Sequence, residues 1–193
     1  MNRSREAICG LDEAGRGPLA GPVCAAAVIL KESFPFDILN DSKKLSPLQR
    51  EKARAAILSG ALSWGLGWAS PAEIDTINIH RASLLAMKRA FASMPRDSLL
   101  SIRGIHAIAD GLFVPDISVP CEALVKADTK IPEVMAASIL AKTARDRLME
   151  YYALFYPEYG YEKHKGYPTL AHREAIHRYG PSIIQRMSFS VKL

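Results

Sequence analysis

The chain has 193 residues, 49% hydrophobic and 23% charged, with 12 glycines and 12 prolines, a balance that excludes a disordered, collagenous or fibrous protein. At this length one core can bury roughly 70% of the surface an unfolded chain exposes, so neither disulfides nor a structural metal is needed to hold a fold together. A net charge of +5 permits an anionic partner without demanding one.

Residues 7–11 form a short apolar run ending at Asp12-Glu13 and a loop, Gly15-Arg16-Gly17-Pro18, which predicts a strand. Residues 23–30 suit a second, buried strand, and the short connection makes the two antiparallel. Ser46-Pro47 is a helix start, with Gly60 as the stop. Residues 62–69 alternate small residues with Trp64 and Trp68, as a third strand would. A helix over about 79–94 buries Leu84, Leu85, Met87 and Phe91, and Pro95 ends it. Two apolar runs, 105–109 and 119–125, precede Asp110 and Asp128. Pro132 opens a long helix with Val134, Ala137, Ser138, Ala141, Leu148 and Phe155 on its inner face, and a last helix covers about 169–179. Strands separated by helices predict one α/β domain over residues 1–193, a mixed sheet of about five strands flanked by helices, with 157–193 as a C-terminal, substrate-binding extension of the same domain.

Cys9, Cys24 and Cys121 are odd in number, far apart and without a C-x-x-C pair, which argues against a disulfide framework or a zinc site. No apolar run approaches a membrane span, and the first six residues do not read as a signal peptide, so a cytoplasmic protein is expected. Four of the five net positive charges fall in residues 142–193, where a polyanion should dock.

Acids end three of the putative strands: Asp12 and Glu13, Asp110, and Asp128. Any one alone reads as a solvated turn residue. Together they fit a site outside the carboxyl ends of the strands of an α/β sheet. Clustered carboxylates repel unless cations fill the space between them, and an all-oxygen set selects Mg²⁺ or Mn²⁺. Two such ions suit phosphodiester hydrolysis with water as the nucleophile. Adjacent strand residues point to opposite faces, so the strand is expected to bend or end at Asp12-Glu13. The glycines around Arg16 make neither a P-loop, since no Lys-Ser or Lys-Thr follows, nor a dinucleotide fingerprint, since no helix follows. They suit close backbone approach to a sugar, with Arg16 facing phosphate.

Gly10-Leu11-Asp12-Glu13-Ala14-Gly15-Arg16-Gly17-Pro18-Leu19-Ala20-Gly21-Pro22-Val23 resembles the signature of the ribonuclease HII family. Further resemblances are Asp41-Ser42-Lys43-Lys44-Leu45, Ala109-Asp110-Gly111, Lys126-Ala127-Asp128, Ala136 to Lys142, and His164-Lys165-Gly166-Tyr167-Pro168-Thr169, so the likeness spans essentially the whole chain. It implies a ribonuclease H-like fold. It also implies endonucleolytic cleavage of RNA in RNA–DNA hybrids and 5′ of ribonucleotides embedded in duplex DNA, giving 3′-hydroxyl and 5′-phosphate ends. The family acids map onto Asp12, Glu13, Asp110 and Asp128. Gly15, Arg16 and Gly17 would read the 2′-hydroxyl, and Tyr167 would stack on the sugar at the RNA-to-DNA junction.

Lys43, Lys44, Lys142 and Lys165 are candidate phosphate contacts, with ordinary solvated lysines as the alternative. Arg145-Asp146-Arg147 reads as structural pairing, which keeps Asp146 out of the metal site. His172 and His177 suit surface or nucleic-acid-facing roles, and Trp64, Trp68, Tyr151, Tyr152 and Phe155 suit packing. The expected protein is a monomer. The tail Gln185-Arg186-Met187-Ser188-Phe189 is a short candidate contact for a replication clamp. Rival readings are a catalytically silent hybrid-binding module and a different nuclease or integrase on the same fold, which would not require a 2′-hydroxyl.

Overall fold

The structure is a computed structural model that describes residues 7–40, 45–95, 97, 99, 102 and 104–191. Five strands form one sheet: β1 (Ala7–Ala14), β2 (Val23–Leu30), β3 (Ala61–Ala69), β4 (Ile105–Asp110) and β5 (Cys121–Leu124), in the order β3-β2-β1-β4-β5. The pairs β1/β2 and β2/β3 are antiparallel, whereas β1/β4 and β4/β5 are parallel, so the sheet is mixed as expected.

Helix α2 (Pro71–Ala92) covers one face, where Ala82, Ala86, Met87 and Ala90 pack on Cys9, Leu11, Ala25 and Ala27. The other face carries α1 (Pro47–Gly60) and α3 (Pro132–Phe155), whose Ala53, Ile57, Ala137 and Leu140 pack on Cys24, Ala26 and Val28. Alternation along β2 thus feeds two cores, and all eight of its residues are buried. Beyond β5 the chain makes a 3-10 turn at Ala127–Thr129. After α3 come a one-turn helix, α4 (Tyr161–His164), and α5 (Leu170–Tyr179), and these close a third cluster with Ala20, Met149, Tyr159, Tyr161 and Ile184.

Three expectations change. Strand β1 does not end or bend at Asp12: it runs on to Ala14, with Asp12, Glu13 and Ala14 paired to Ala26, Ala25 and Cys24. Gly10 serves close packing rather than a break, because a Cβ there would lie 2.1 Å from the Glu133 carbonyl carbon of α3. Helix α2 begins eight residues before Ile79. Ser70 and Glu73 form a reciprocal capping box around Pro71, and the element kinks at Asn78 (φ 67°), whose side chain accepts from Arg81 N at 3.1 Å. The predicted helix is thus the half beyond that kink. The third change is at the end of α3, which projects past the sheet and leaves Phe155 and Tyr151 exposed, ring edge to ring face at 5.0 Å, instead of packed inside. Trp64 and Trp68 do pack, partly buried, on the α1/α3 core.

Candidate active site

The parallel register Leu11↔Ala109 makes Asp12 and Asp110 neighbours across β1 and β4. The turn after β5 delivers Asp128, and the N–H of Ala127 in that turn donates to Asp110 Oδ1 at 2.8 Å, so the third acid is tied to the second. Each of Asp12, Asp110 and Asp128 offers an oxygen within 4.8 Å of the others. Asp12 and Asp128 are buried and Asp110 is half-buried. Like charges about 5 Å apart repel by on the order of 3 kcal/mol at an effective dielectric of 20. Among the described residues neither Asp12 nor Asp110 has a basic partner. This hard, anionic, all-oxygen trio fits a divalent cation such as Mg²⁺ or Mn²⁺.

Glu13 lies outside that trio. Unbroken alternation turns it to the α2 face, where its carboxylate accepts from Arg16 Nη1 at 3.3 Å, and Arg16 Nη2 in turn lies 3.1 Å from His80 Nδ1. It still borders the same cleft of about 480 Å³, together with Asp12, Asp110, Asp128, Gly17 and Tyr167. The two faces meet at this edge of the sheet, which resolves the problem of adjacent acids without bending the strand.

Burial pushes the Asp12 carboxyl well above its ordinary range, and the charges of Glu13 and Asp110 add to this, against a bond from Ser138 on α3. Burial also raises Glu13, with Asp110 adding and Arg16 opposing. A carboxyl raised on folding stabilises the fold below its unfolded pKa, and that contribution is lost as pH rises through the folded value. The contribution of these two acids to the stability of metal-free protein should therefore fall as pH climbs from about 4 towards neutral, opposite in sign to the gain from His172, which burial keeps neutral over that range. Excess Mg²⁺ or Mn²⁺ should raise stability at neutral pH, by about 2.7 kcal/mol at a hundred times Kd, and not in acid, where protons compete for the oxygens. Thermal melts at two pH values with cation or EDTA check this; an unchanged midpoint on adding cation at neutral pH counts against the site.

The other sequence candidates distribute unevenly. Gly15 has φ +97°, and a Cβ there would lie 2.0 Å from Arg145 Nε, so both its conformation and its space require glycine. Arg16 and Gly17 are exposed at the cleft, and Tyr167 is 41% exposed across from them. Lys142 stands 5.9 Å from the Tyr167 ring centre and bonds Asp146 Oδ1 at 2.8 Å. Lys165 pairs with Glu150 at 2.9 Å and lines a neighbouring basic cavity with Lys142, Arg147 and Lys163. Both lysines are thus held by acids that a phosphate would have to displace. Lys43 and Lys44 lie outside the described residues.

Two further readings are corrected. The triplet Arg145-Asp146-Arg147 does not pair internally. Asp146 takes Lys142, Arg147 takes Glu51, and Arg145, 1% exposed, donates to the carbonyls of Pro22, Ala20 and Lys165 at 2.9, 3.0 and 2.9 Å. His172 is fully buried rather than surface-facing. It stacks on His164 at 4.5 Å and binds the Tyr167 carbonyl through Nδ1 at 3.0 Å, while burial lowers its pKa to about 4 and keeps it neutral. His177 is exposed. Sequence reasoning also missed Ser138 as a partner of Asp12 and His80 as a partner of Arg16. No pattern distinguished Ser138 from an inner-face helix residue.

A mixed five-stranded sheet with acids at adjoining strand ends and helices on both faces defines the ribonuclease H-like class of α/β nucleases. The ribonuclease HII family model matches residues 9–192, so the chain belongs to the ribonuclease HII family and is a ribonuclease. It is 54% identical to a ribonuclease HII of Treponema denticola, over 96% of this chain and 98% of that one, and 49% identical to that of Dechloromonas aromatica, over 94% and 90%. Among solved structures it is similar to a ribonuclease H2 of Pyrococcus horikoshii (TM-score 0.72, 26% identity, covering 96% of this chain and 94% of that one). A Bst-RNase HIII in complex with Mn²⁺ shares the fold (TM-score 0.73, 18% identity, 96% and 67%), as does the RNase HII of a PCNA complex from Archaeoglobus fulgidus (TM-score 0.74, 24% identity, 97% and 96%). Among the described residues no helix is long and apolar enough to cross a membrane.

Proposed function

We propose that this chain is a divalent-cation-dependent endoribonuclease that hydrolyses the RNA strand of RNA–DNA hybrids. It also cuts 5′ of ribonucleotides embedded in duplex DNA, leaving 3′-hydroxyl and 5′-phosphate ends, as a step in removing ribonucleotides from DNA. The observation that carries this reading is the convergence of Asp12, Asp110 and Asp128 within 4.8 Å, in a chain of the ribonuclease HII family. These three, with Glu13 on the adjoining face, would hold Mg²⁺ or Mn²⁺, two ions when substrate is bound. Such ions supply a water of lowered pKa and stabilise charge on the leaving oxygen.

The chain's own residues do the rest. Gly15, Arg16 and Gly17 present backbone to the ribose and its 2′-hydroxyl. The Tyr167 ring lies across the cleft and close to Gly17, where a Cβ would touch its Cε1 at 3.7 Å. Lys142 and Lys165 exchange Asp146 and Glu150 for phosphates, and the described residues from 157 onward form the basic wall against which the duplex lies. Lys43 and Lys44 remain candidates for the same role. The enzyme acts as a cytoplasmic monomer. Gln185 and Arg186 are buried against the body, so a clamp contact through this tail has only Met187 and its exposed neighbours to use.

The deciding experiment offers a duplex with one ribonucleotide, with and without Mg²⁺, and maps the ends. A single cation-dependent cut 5′ of the ribonucleotide is expected. Cutting of the all-DNA duplex would point to another nuclease on this fold, and binding without cutting to a silent module. Tyr167→Ala should slow junction cleavage by roughly tenfold to a hundredfold, the loss a misplaced sugar carries, and slow cleavage of a long RNA stretch much less. Equal losses on both substrates would remove the stacking role.

A further inference from the structure

The C-terminal tail is built into the glycine loop of the site. Arg186 is fully buried and donates to three main-chain carbonyls, those of Gly15 (Nη2, 2.6 Å), Arg16 (Nη1, 2.9 Å) and Gly21 (Nε, 2.8 Å). The ring of Phe189 lies 5.1 Å from its guanidinium carbon. The Arg186 N–H donates to the Leu19 carbonyl at 2.8 Å, and Gln185 bridges to Ala20. Beyond it, the N–H groups of Met187 and Ser188 donate to the Asp75 carboxylate on α2, each at 2.9 Å. The tail is therefore clamped on both sides of Arg186.

Peptide planarity gives this grip a direction. In a trans peptide the C=O of one residue and the N–H of the next point opposite ways. With the carbonyls of Gly15 and Arg16 both drawn inward to Arg186, the N–H groups of Arg16 and Gly17 are turned outward. Among the described residues neither N–H has a hydrogen-bond partner, and both residues are exposed at the cleft. Successive free N–H groups of this kind form a concavity suited to an electronegative oxygen. The planar fork of arginine reaches several carbonyls at once from a fixed position, which a lysine ammonium cannot do.

We infer that Arg186 is a positioning residue for ribonucleotide discrimination, holding the Gly15-Arg16-Gly17 backbone with its N–H groups towards the ribose. The inference rests on the reading that this loop senses the 2′-hydroxyl. It gives the tail a role inside the site.

The test measures equilibrium binding in EDTA, to prevent hydrolysis, of two duplexes that differ only by one ribonucleotide. The readout is the ratio of the all-DNA Kd to the ribonucleotide-containing Kd. Wild-type protein is expected to give a ratio above one, and a ratio of one overturns the 2′-hydroxyl reading itself. Given a wild-type preference, Arg186→Lys, which keeps the charge and loses the fork, should bring the ratio down by about tenfold or to one, whichever comes first, as expected for a lost hydrogen bond. All-DNA affinity and the thermal shift on adding Mn²⁺ should stay at wild-type values, which general unfolding would not allow. A wild-type ratio in Arg186→Lys overturns the inference and leaves the 2′-hydroxyl reading standing. Should that variant fail to fold, Asp75→Ala decides: loosening the tail must lower the ratio, and an unchanged ratio overturns the inference.

Discussion

Asp110→Asn is expected to reduce cleavage about 10³-fold or more, because a metal-assisted step loses several kcal/mol of charge stabilisation and each 1.4 kcal/mol is a factor of ten. Duplex binding should persist, since the basic wall is untouched. Asparagine is nearly isosteric, and its Oδ1 can still accept from the Ala127 N–H, so the turn that carries Asp128 stays in place. A second readout separates chemistry from structure. Removing one charge relieves Asp12 and Glu13, which both feel Asp110, so the metal-free variant should melt no lower than wild type and gain less from added cation. Steady-state cleavage and paired melts in EDTA and Mg²⁺ check both. Full activity in this variant would take Asp110 out of the mechanism.

The acids were legible in the sequence because the physics that gathers them is local. The parallel pairs β1/β4 and β4/β5 bring the carboxyl ends of those strands to one edge, so Asp12 near the end of β1, Asp110 at the end of β4 and Asp128 in the turn after β5 meet there without any need to know the helices. The Ser46-Pro47 start of α1 was legible through its cap. The same kind of cap at Ser70-Pro71-Ala72-Glu73 is equally readable, but apolar periodicity sets in only beyond the kink at Asn78, and periodicity alone therefore places the start of the helix too late. Glu13 shows a different limit. Its position beside Asp12 suggested a bend, whereas the strand stays regular and the cleft wraps around the sheet edge, an arrangement set by tertiary contacts alone.

Buried cations were the least legible feature. Arg145 and Arg186 sit in polar surroundings of sequence, Arg145-Asp146-Arg147 and Gln185-Arg186-Met187, where charge pairing or partner binding is the natural expectation. Five of their six carbonyl partners lie more than a hundred residues away, and periodicity carries no information about those. Six main-chain carbonyls from residues 15–22 and 165 converge on the two guanidinium groups. The loop that carries Gly15, Arg16 and Gly17 thus has little regular structure of its own and takes its shape from arginines supplied by α3 and the tail.

Arg145→Met should be strongly destabilising. Methionine keeps much of the side-chain volume and removes all three donors, leaving the carbonyls of Ala20 and Pro22 buried without partners and that of Lys165 part-buried. An unsatisfied buried acceptor costs about 1–3 kcal/mol, so a total loss of about 3 kcal/mol or more is expected, a fall of about 10 °C in a domain of this size. Arg145→Lys should recover only part of this, because one ammonium cannot span carbonyls on separate segments. The damage should also reach the chemistry. Arg145 alone of these donors joins Ala20 and Pro22 to Lys165, two residues before Tyr167, so the stacking ring loses an anchor while Asp12, Asp110 and Asp128 keep theirs. Urea titration at constant m-value measures the stability loss. Cleavage of junction and long-hybrid substrates well below the new midpoint should then show the junction suffering more. A variant with a wild-type urea midpoint would mean that water, not Arg145, satisfies those carbonyls.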